Sequence, residues 1–153
     1  MKYLYGDLQC KLDSKGRLML PATFKEQLGH LVDEGFILRP GLFSACIELY
    51  TVSDWTRKQA HLGGLDQFDK VNIDLIRKYN AGVKFVKPDA TGRLLVPREL
   101  MEYAGLSKDV VITALTSYME IWDKVLYQQV LNEIDPNTMG IKLQEKLNAS
   151  KKD

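Results

Sequence analysis

Cysteine, histidine and uninterrupted apolar runs are all scarce in this sequence. Two cysteines, Cys10 and Cys46, do not make a disulfide framework, so ordinary thiols in a reducing compartment are the simpler reading. Two isolated histidines, His30 and His61, offer no metal-ligand spacing, and no metal or other cofactor is expected. No apolar run approaches the roughly 18 residues of a membrane span, and Met1-Lys2-Tyr3-Leu4-Tyr5-Gly6-Asp7 lacks an apolar signal core. The expectation is a cytoplasmic chain with no membrane partner. Strong net charge is missing too. A balance of +1 excludes a protein that coats nucleic acid by bulk charge, but it leaves room for a local basic patch. At 153 residues the chain is long enough for a soluble domain with a sizeable core.

What is present is an internal repeat. Leu12-Asp13-Ser14-Lys15-Gly16-Arg17-Leu18-Met19-Leu20-Pro21 aligns with Pro88-Asp89-Ala90-Thr91-Gly92-Arg93-Leu94-Leu95-Val96-Pro97 at a constant offset of 76. Extended to Gly29 and Gly105, the alignment holds seven identities in 18 positions, where chance gives about one. The likeness resumes at an offset of 72, with Ala45-Cys46-Ile47-Glu48-Leu49-Tyr50 against Ser117-Tyr118-Met119-Glu120-Ile121-Trp122. Two copies are too few for a solenoid. They predict a pseudo-twofold domain in which each half completes the other's core.

Each copy reads alike. A short strand enters the Asp-x-x-Gly-Arg turn and another leaves it, with Leu18 and Leu20 on one face and Arg17 and Met19 on the other. Pro21 and Pro97 suit helix starts, predicting helices over 22–28 and 98–104. Gly29 and Gly105 stand where a left-handed C-cap is expected. Strands follow at 36–39 with 45–50, and at 110–114 with 118–122. Between the copies, Ser53 can cap a helix to about Leu62 that Gly63-Gly64 breaks. Asp69 can cap a second, with Val71, Leu75, Ile76 and Tyr79 as its apolar stripe. A last helix runs through Val130, Leu131 and Ile134 to Asp135-Pro136, and Asn148 to Asp153 is a polar, frayed end.

A single Asp-x-x-Gly turn is ordinary hairpin chemistry. A turn does not need an arginine, yet one recurs at the same step in both copies. The flanks are basic as well. Residues 11–25 hold Lys11, Lys15, Arg17 and Lys25 against Asp13, a net +3. Residues 84–98 hold Lys84, Lys87, Arg93 and Arg98 against Asp89, again +3, which leaves −5 for the rest. Cations concentrated at two equivalent loops are a nucleic-acid footprint, because they release counterions from phosphates and an arginine can fork onto guanine. The aspartate either braces the turn or orients the arginine.

Other residues carry less. Trp55 and Trp122 read as packing rather than base-stacking platforms, and the cysteines as small buried side chains rather than redox sensors. Glu48 and Glu120 occupy equivalent strands, but a catalytic pair needs a pocket and shifted pKa values. Nothing else assembles a catalytic constellation, so no enzyme is expected.

The paired segments Leu12-Asp13-Ser14-Lys15-Gly16-Arg17-Leu18 and Asp89-Ala90-Thr91-Gly92-Arg93-Leu94, with Tyr50–Trp55 and Glu120-Ile121-Trp122-Asp123, resemble the signatures of the MraZ family over about residues 5–134. That resemblance implies a mainly β fold with short helices (α+β), a pseudo-twofold swapped-hairpin AbrB-like barrel. SpoVT-AbrB-type repeats would occupy residues 7–54 and 83–126, a helical connector 55–82, and a C-terminal helix and tail 127–153. It implies a nucleoid-associated, ring-forming homo-oligomer. Such a protein binds tandem repeats in double-stranded promoter DNA of the division and cell-wall gene cluster, usually repressing it. The DNA contacts would fall to Asp13, Lys15, Arg17, Asp89 and Arg93, supported by Lys11, Lys84 and Lys87. The chain departs from the family at Met101, where an arginine is common, and its second loop has Thr91 where the first has Lys15. The alternative is an AbrB-like interaction module of antitoxin type. That reading expects a long wrapping tail, whereas the stretch after Ile134 is about the length of one short helix.

Overall fold

Short alternating apolar runs give short strands, and a short strand buries enough surface only by joining others. The computed structural model describes residues 3–151. The first copy forms β1 (Asp7–Lys11), β2 (Arg17–Met19), α1 (Ala22–Leu28), a 3-10 turn (Gly29–Glu34), β3 (Phe36–Pro40) and β4 (Ile47–Thr51). The connector forms α2 (Val52–Gly63) and α3 (Lys70–Asn80). The second copy forms β5 (Lys84–Val86), β6 (Arg93–Leu95), α4 (Arg98–Ala104), β7 (Asp109–Leu115) and β8 (Tyr118–Asp123), followed by α5 (Lys124–Glu133) and α6 (Pro136–Ser150).

Six strands make one open antiparallel sheet in the order β1-β7-β8-β4-β3-β5, and β2 pairs with β6 as a separate ribbon. The two copies exchange strands. β1 of the first pairs with β7 of the second, while β5 of the second pairs with β3 of the first. At the sheet centre Ile47 faces Ile121, Glu48 faces Glu120 and Leu49 faces Met119. In the ribbon Leu18 faces Leu94. Glu48 with Glu120, and Leu18 with Leu94, are the self-equivalent pairs of the repeat, so a pseudo-twofold axis runs from the ribbon through the sheet. Between them lies one apolar cluster. Leu18, Leu94, Ile47, Ile121, Met119 and Phe24 are each at most 1% exposed. The fold is a mainly β, α+β arrangement of two half-repeats with short helices. The sheet itself stays open, and the ribbon with α1 and α4 covers its inner face.

The helices after Pro21 and Pro97 begin and end at the expected residues. Their i,i+4 pairs, Phe24/Leu28 and Leu100/Ala104, are buried. Gly105 takes the left-handed cap at φ 61°, ψ 36°. Gly29 does not: its φ of 57° comes with ψ −131°, and the chain turns into the 3-10 segment instead. Thr51, not Ser53, caps α2, accepting from Asp54 N at 3.2 Å. Both are hydroxyls, and the extended backbone at Thr51 (ψ 160°) decides between them. Asp69 caps α3 as expected. Its stripe is rotated, however. Ile73, Ile76 and Tyr79 are half-buried, whereas Val71 and Leu75 are 65% and 59% exposed. The polar end is more regular than expected, because Asn148, Ala149 and Ser150 continue α6; Lys152 and Asp153 lie outside the described residues.

The Leu18–Leu94 pair tests this architecture. Leu18→Ala or Leu94→Ala is expected to cost about 2–5 kcal/mol in urea unfolding. The double variant should depart from additivity, because both side chains line one site. A loss under about 1 kcal/mol for both would mean that the core does not rest on the ribbon.

Candidate nucleic-acid interface

The two Asp-x-x-Gly-Arg segments fold into the same loop by the same bonds. Asp13 Oδ1 accepts from Lys15 N and Arg17 N, each at 2.9 Å. Asp89 Oδ1 accepts from Thr91 N and Arg93 N, each at 2.9 Å. The backbone closes each turn, with Gly16 N donating to Asp13 O at 3.0 Å and Gly92 N to Asp89 O at 2.9 Å. Gly16 and Gly92 have φ of 81° and 85°, a conformation that L side chains rarely adopt. Asp and Gly thus build the loop, and the arginine is surplus to it.

Arg17 is then aimed by its aspartate, and Arg93 by Thr91, whose hydroxyl donates to Asp89 Oδ1 at 2.8 Å. Arg17 Nε donates to Asp13 Oδ2 at 2.9 Å. Arg93 Nε donates to Thr91 Oγ1 at 2.9 Å and lies 3.3 Å from Asp89 Oδ2, and its Nη1 comes within 3.7 Å of Asp13. The guanidinium side chains remain about 30% exposed, at 27% and 32%. The strands that carry them pair with each other as a two-stranded sheet. After a single bridge between Leu12 and Leu18, β2 leaves β1 and pairs with β6. Leu18 and Leu94 point inward, so Arg17, Met19, Arg93 and Leu95 form the outward face of a two-stranded antiparallel ribbon. The register sets Arg17 opposite Leu95 and Met19 opposite Arg93, so the arginines sit on a diagonal.

The structure therefore brings Asp13, Lys15, Arg17, Asp89 and Arg93 together around one ribbon. Lys11 and Lys87 immediately precede the loops. Lys11 is tied to Asp109 at 2.9 Å. Lys84 lies on the edge strand β5, 3.9 Å from Glu99. A cleft of about 910 Å³ beside the first loop is shouldered by Lys15, Arg98 and Lys108. Sequence reasoning missed how α1 and α4 cross over. Met101 of α4 sits over Gly16 of the other copy, its Cε 2.9 Å from where a Cβ would be. Lys25 of α1 sits over Gly92, its Nζ 3.5 Å from the corresponding point. Positions 25 and 101 share the 76-residue offset, which is the signal that could have paired them.

The opposite face of the sheet is a packed network. Glu48, 6% exposed, accepts from Arg39 Nη1 at 3.0 Å, Tyr50 Oη at 2.7 Å and Leu42 N at 2.9 Å. Glu120 accepts from Trp122 Nε1 at 2.9 Å. Trp55 packs on Tyr50 and Tyr79, so both tryptophans stand on this side of the sheet, away from the ribbon. Burial pushes the Cys10 thiol up to about 11 and raises that of Cys46 further, which disfavours the reactive thiolates. Among the described residues no group of three or more His, Cys, Asp or Glu could hold a metal. No helix among them is long and apolar enough to cross a membrane.

Hydrogen bonds from the Arg93 backbone, then from the Thr91 side chain, hold the Asp89 carboxyl down at about 2, and the Arg17 backbone likewise lowers Asp13. A carboxyl lowered by folding stabilises its loop above the unfolded value near 3.8 and loses that contribution as pH falls towards the folded value. Carboxyl-carbon NMR should therefore find Asp89 still ionised at pH 3, with its loop intact. An Asp89 that titrates near 3.8 would show that these bonds are not made in solution.

Comparison with known proteins gives a concordant result. The family model described as "MraZ protein, putative antitoxin-like" matches residues 4–74 and 80–146, one segment for each copy. A protein of Christiangramia forsetii named "Transcriptional regulator MraZ" is 42% identical over 130 residues, covering 85% of this chain and 84% of its own. A protein of the same name from Flavobacterium psychrophilum is 41% identical, covering 87% and 85%. One from Acetivibrio thermocellus is 37% identical, covering 94% and 95%. With both halves matched and relatives this similar along most of the chain, this protein belongs to the MraZ family.

Proposed function

We propose that the protein is a DNA-binding transcriptional regulator that represses the promoter of a division and cell-wall gene cluster containing its own gene. The ribbon carries this reading. B-form DNA admits a two-stranded β-ribbon into its major groove, and here such a ribbon turns two arginines outward, each paired with the aspartate of its loop. In this reading Arg17 and Arg93 reach base edges or phosphates, Asp13 and Asp89 set their geometry, and Lys15 neutralises phosphate, with Lys11, Lys84 and Lys87 adding charge around them. The names of the relatives support the regulatory role. The protein works in the cytoplasm on the nucleoid.

One ribbon per chain is a small footprint against a genome of competing sites. The reading therefore includes a ring-like homo-oligomer on tandem operator repeats, where each later contact is made at high effective concentration. Exposed apolar surface supports self-association. Met139, Leu143 and Leu147 recur every four residues along α6 and are each about half-exposed, at 51%, 51% and 54%. A 15-residue helix with no covered face is marginal in water. The same free helix, longer than the sequence suggested, is what favours the second reading, an interaction module of antitoxin type whose tail wraps a protein partner.

Arg17→Ala and Arg93→Ala should each weaken binding to DNA from upstream of the gene while moving stability by less than about 0.5 kcal/mol, as read by gel shift and melting. Full affinity in the double variant would sink the assignment. Log affinity should fall by about 0.9 per phosphate contact for each tenfold rise in salt; a flat profile would favour the interaction module. Inserting half a DNA turn between operator repeats should weaken binding far more than inserting a full turn. Tight binding of a monomer to a single repeat would overturn the ring.

A further inference from the structure

The two loops of one chain are not chemically equal. Loop 1 holds Lys15 two residues before its arginine, and loop 2 holds Thr91 at that position. The structure fills the gap from elsewhere. Lys25, on α1 of the first copy, crosses the pseudo-twofold axis and places its ammonium beside Gly92 of loop 2, 3.5 Å from the Cβ point. Its polar contact is the thioether of Met19 at 3.0 Å, and Met19 is the ribbon residue opposite Arg93. Sulfur is a weak acceptor, and Lys25 makes no ion pair among the described residues. An ammonium held so loosely at the rim of a cationic ribbon keeps its charge free for an anion. At the matching place over loop 1 stands Met101, whose thioether packs on Gly16 and carries no charge.

We infer that Lys25 is a DNA-phosphate contact that acts in trans, supplying loop 2 with the second cation that Thr91 leaves out. A lysine then stands beside each ribbon arginine: Lys15 with Arg17 at one end, and Lys25 with Arg93 at the other. The assignment rests on the ribbon being the nucleic-acid surface. It adds a contact from a helix that belongs to the other repeat.

The test is fluorescence anisotropy of a labelled mixed-sequence duplex against KCl concentration, on the full chain. Lys25→Met, which gives α1 the residue that α4 already has, should reduce the salt slope by about 0.9 per chain that touches the duplex. It should weaken binding at low salt to a similar degree on any sequence. Lys25→Arg should keep both slope and affinity, and melting curves should show both variants folded. Met101→Lys should steepen the slope by a similar amount, because it puts a cation over loop 1. If Lys25→Met leaves the slope unchanged while Arg93→Ala lowers affinity, the ribbon binds DNA and this inference is wrong. If Arg17→Ala, Arg93→Ala and Lys25→Met are all without effect, the ribbon is not the DNA surface and the inference falls with it.

Discussion

The pairing of β2 with β6 is the contact on which the interface depends. Had β2 folded back on β1 as a plain hairpin, each arginine would stand alone on a separate turn. Instead β2 parts from β1 after a single bridge and meets its equivalent from the other copy. The Leu18–Leu94 contact on the pseudo-axis then fixes which residues face out, since a slip of one position would turn the arginines inward. The same exchange ties β1 to β7 and β5 to β3. Neither copy can complete its sheet or its loop surroundings alone.

Charge follows from that topology. Buried Glu48 is compensated at the sheet by Arg39, its cross-strand partner, and removing one member of such a pair typically costs about 3–5 kcal/mol. The equivalent Glu120 faces Thr113 and accepts from Trp122 instead, so the outer face of the sheet is asymmetric although its strand order is symmetric. The ribbon face behaves in the opposite way. Its backbone bonds match loop for loop, and its surplus cations stay partly exposed where solvent or phosphate can reach them. One face of the molecule spends its polar groups on packing, and the other leaves them available.

Local chemistry was legible in the sequence. The prolines that open α1 and α4, the left-handed glycine that closes α4, the i,i+4 apolar pairs and the two loops follow from neighbours within a few residues. What escaped is long-range. Nothing near Arg17 says that its strand pairs with Arg93's, and nothing near Lys25 says that it rests over Gly92. Both follow from the exchange of strands, for which the repeat offset was the only trace. Elsewhere two local signals competed. Thr51 and Ser53 are both good caps, and the end of β4 chose Thr51. Val71 and Leu75 fit an apolar stripe, but α3 packs through Ile76 and Tyr79 and leaves those two in solvent.

The most direct measurement is amide hydrogen exchange, mapped by peptide, with and without a duplex carrying the tandem repeats upstream of the gene. The account predicts new protection in the peptides that contain residues 13–19 and 89–95, with a smaller effect in the peptide that holds Lys25 and little change across β4, β8, α2 and α3. Protection confined to α2, α3 or the Glu48–Glu120 face, with the ribbon unchanged, would contradict it.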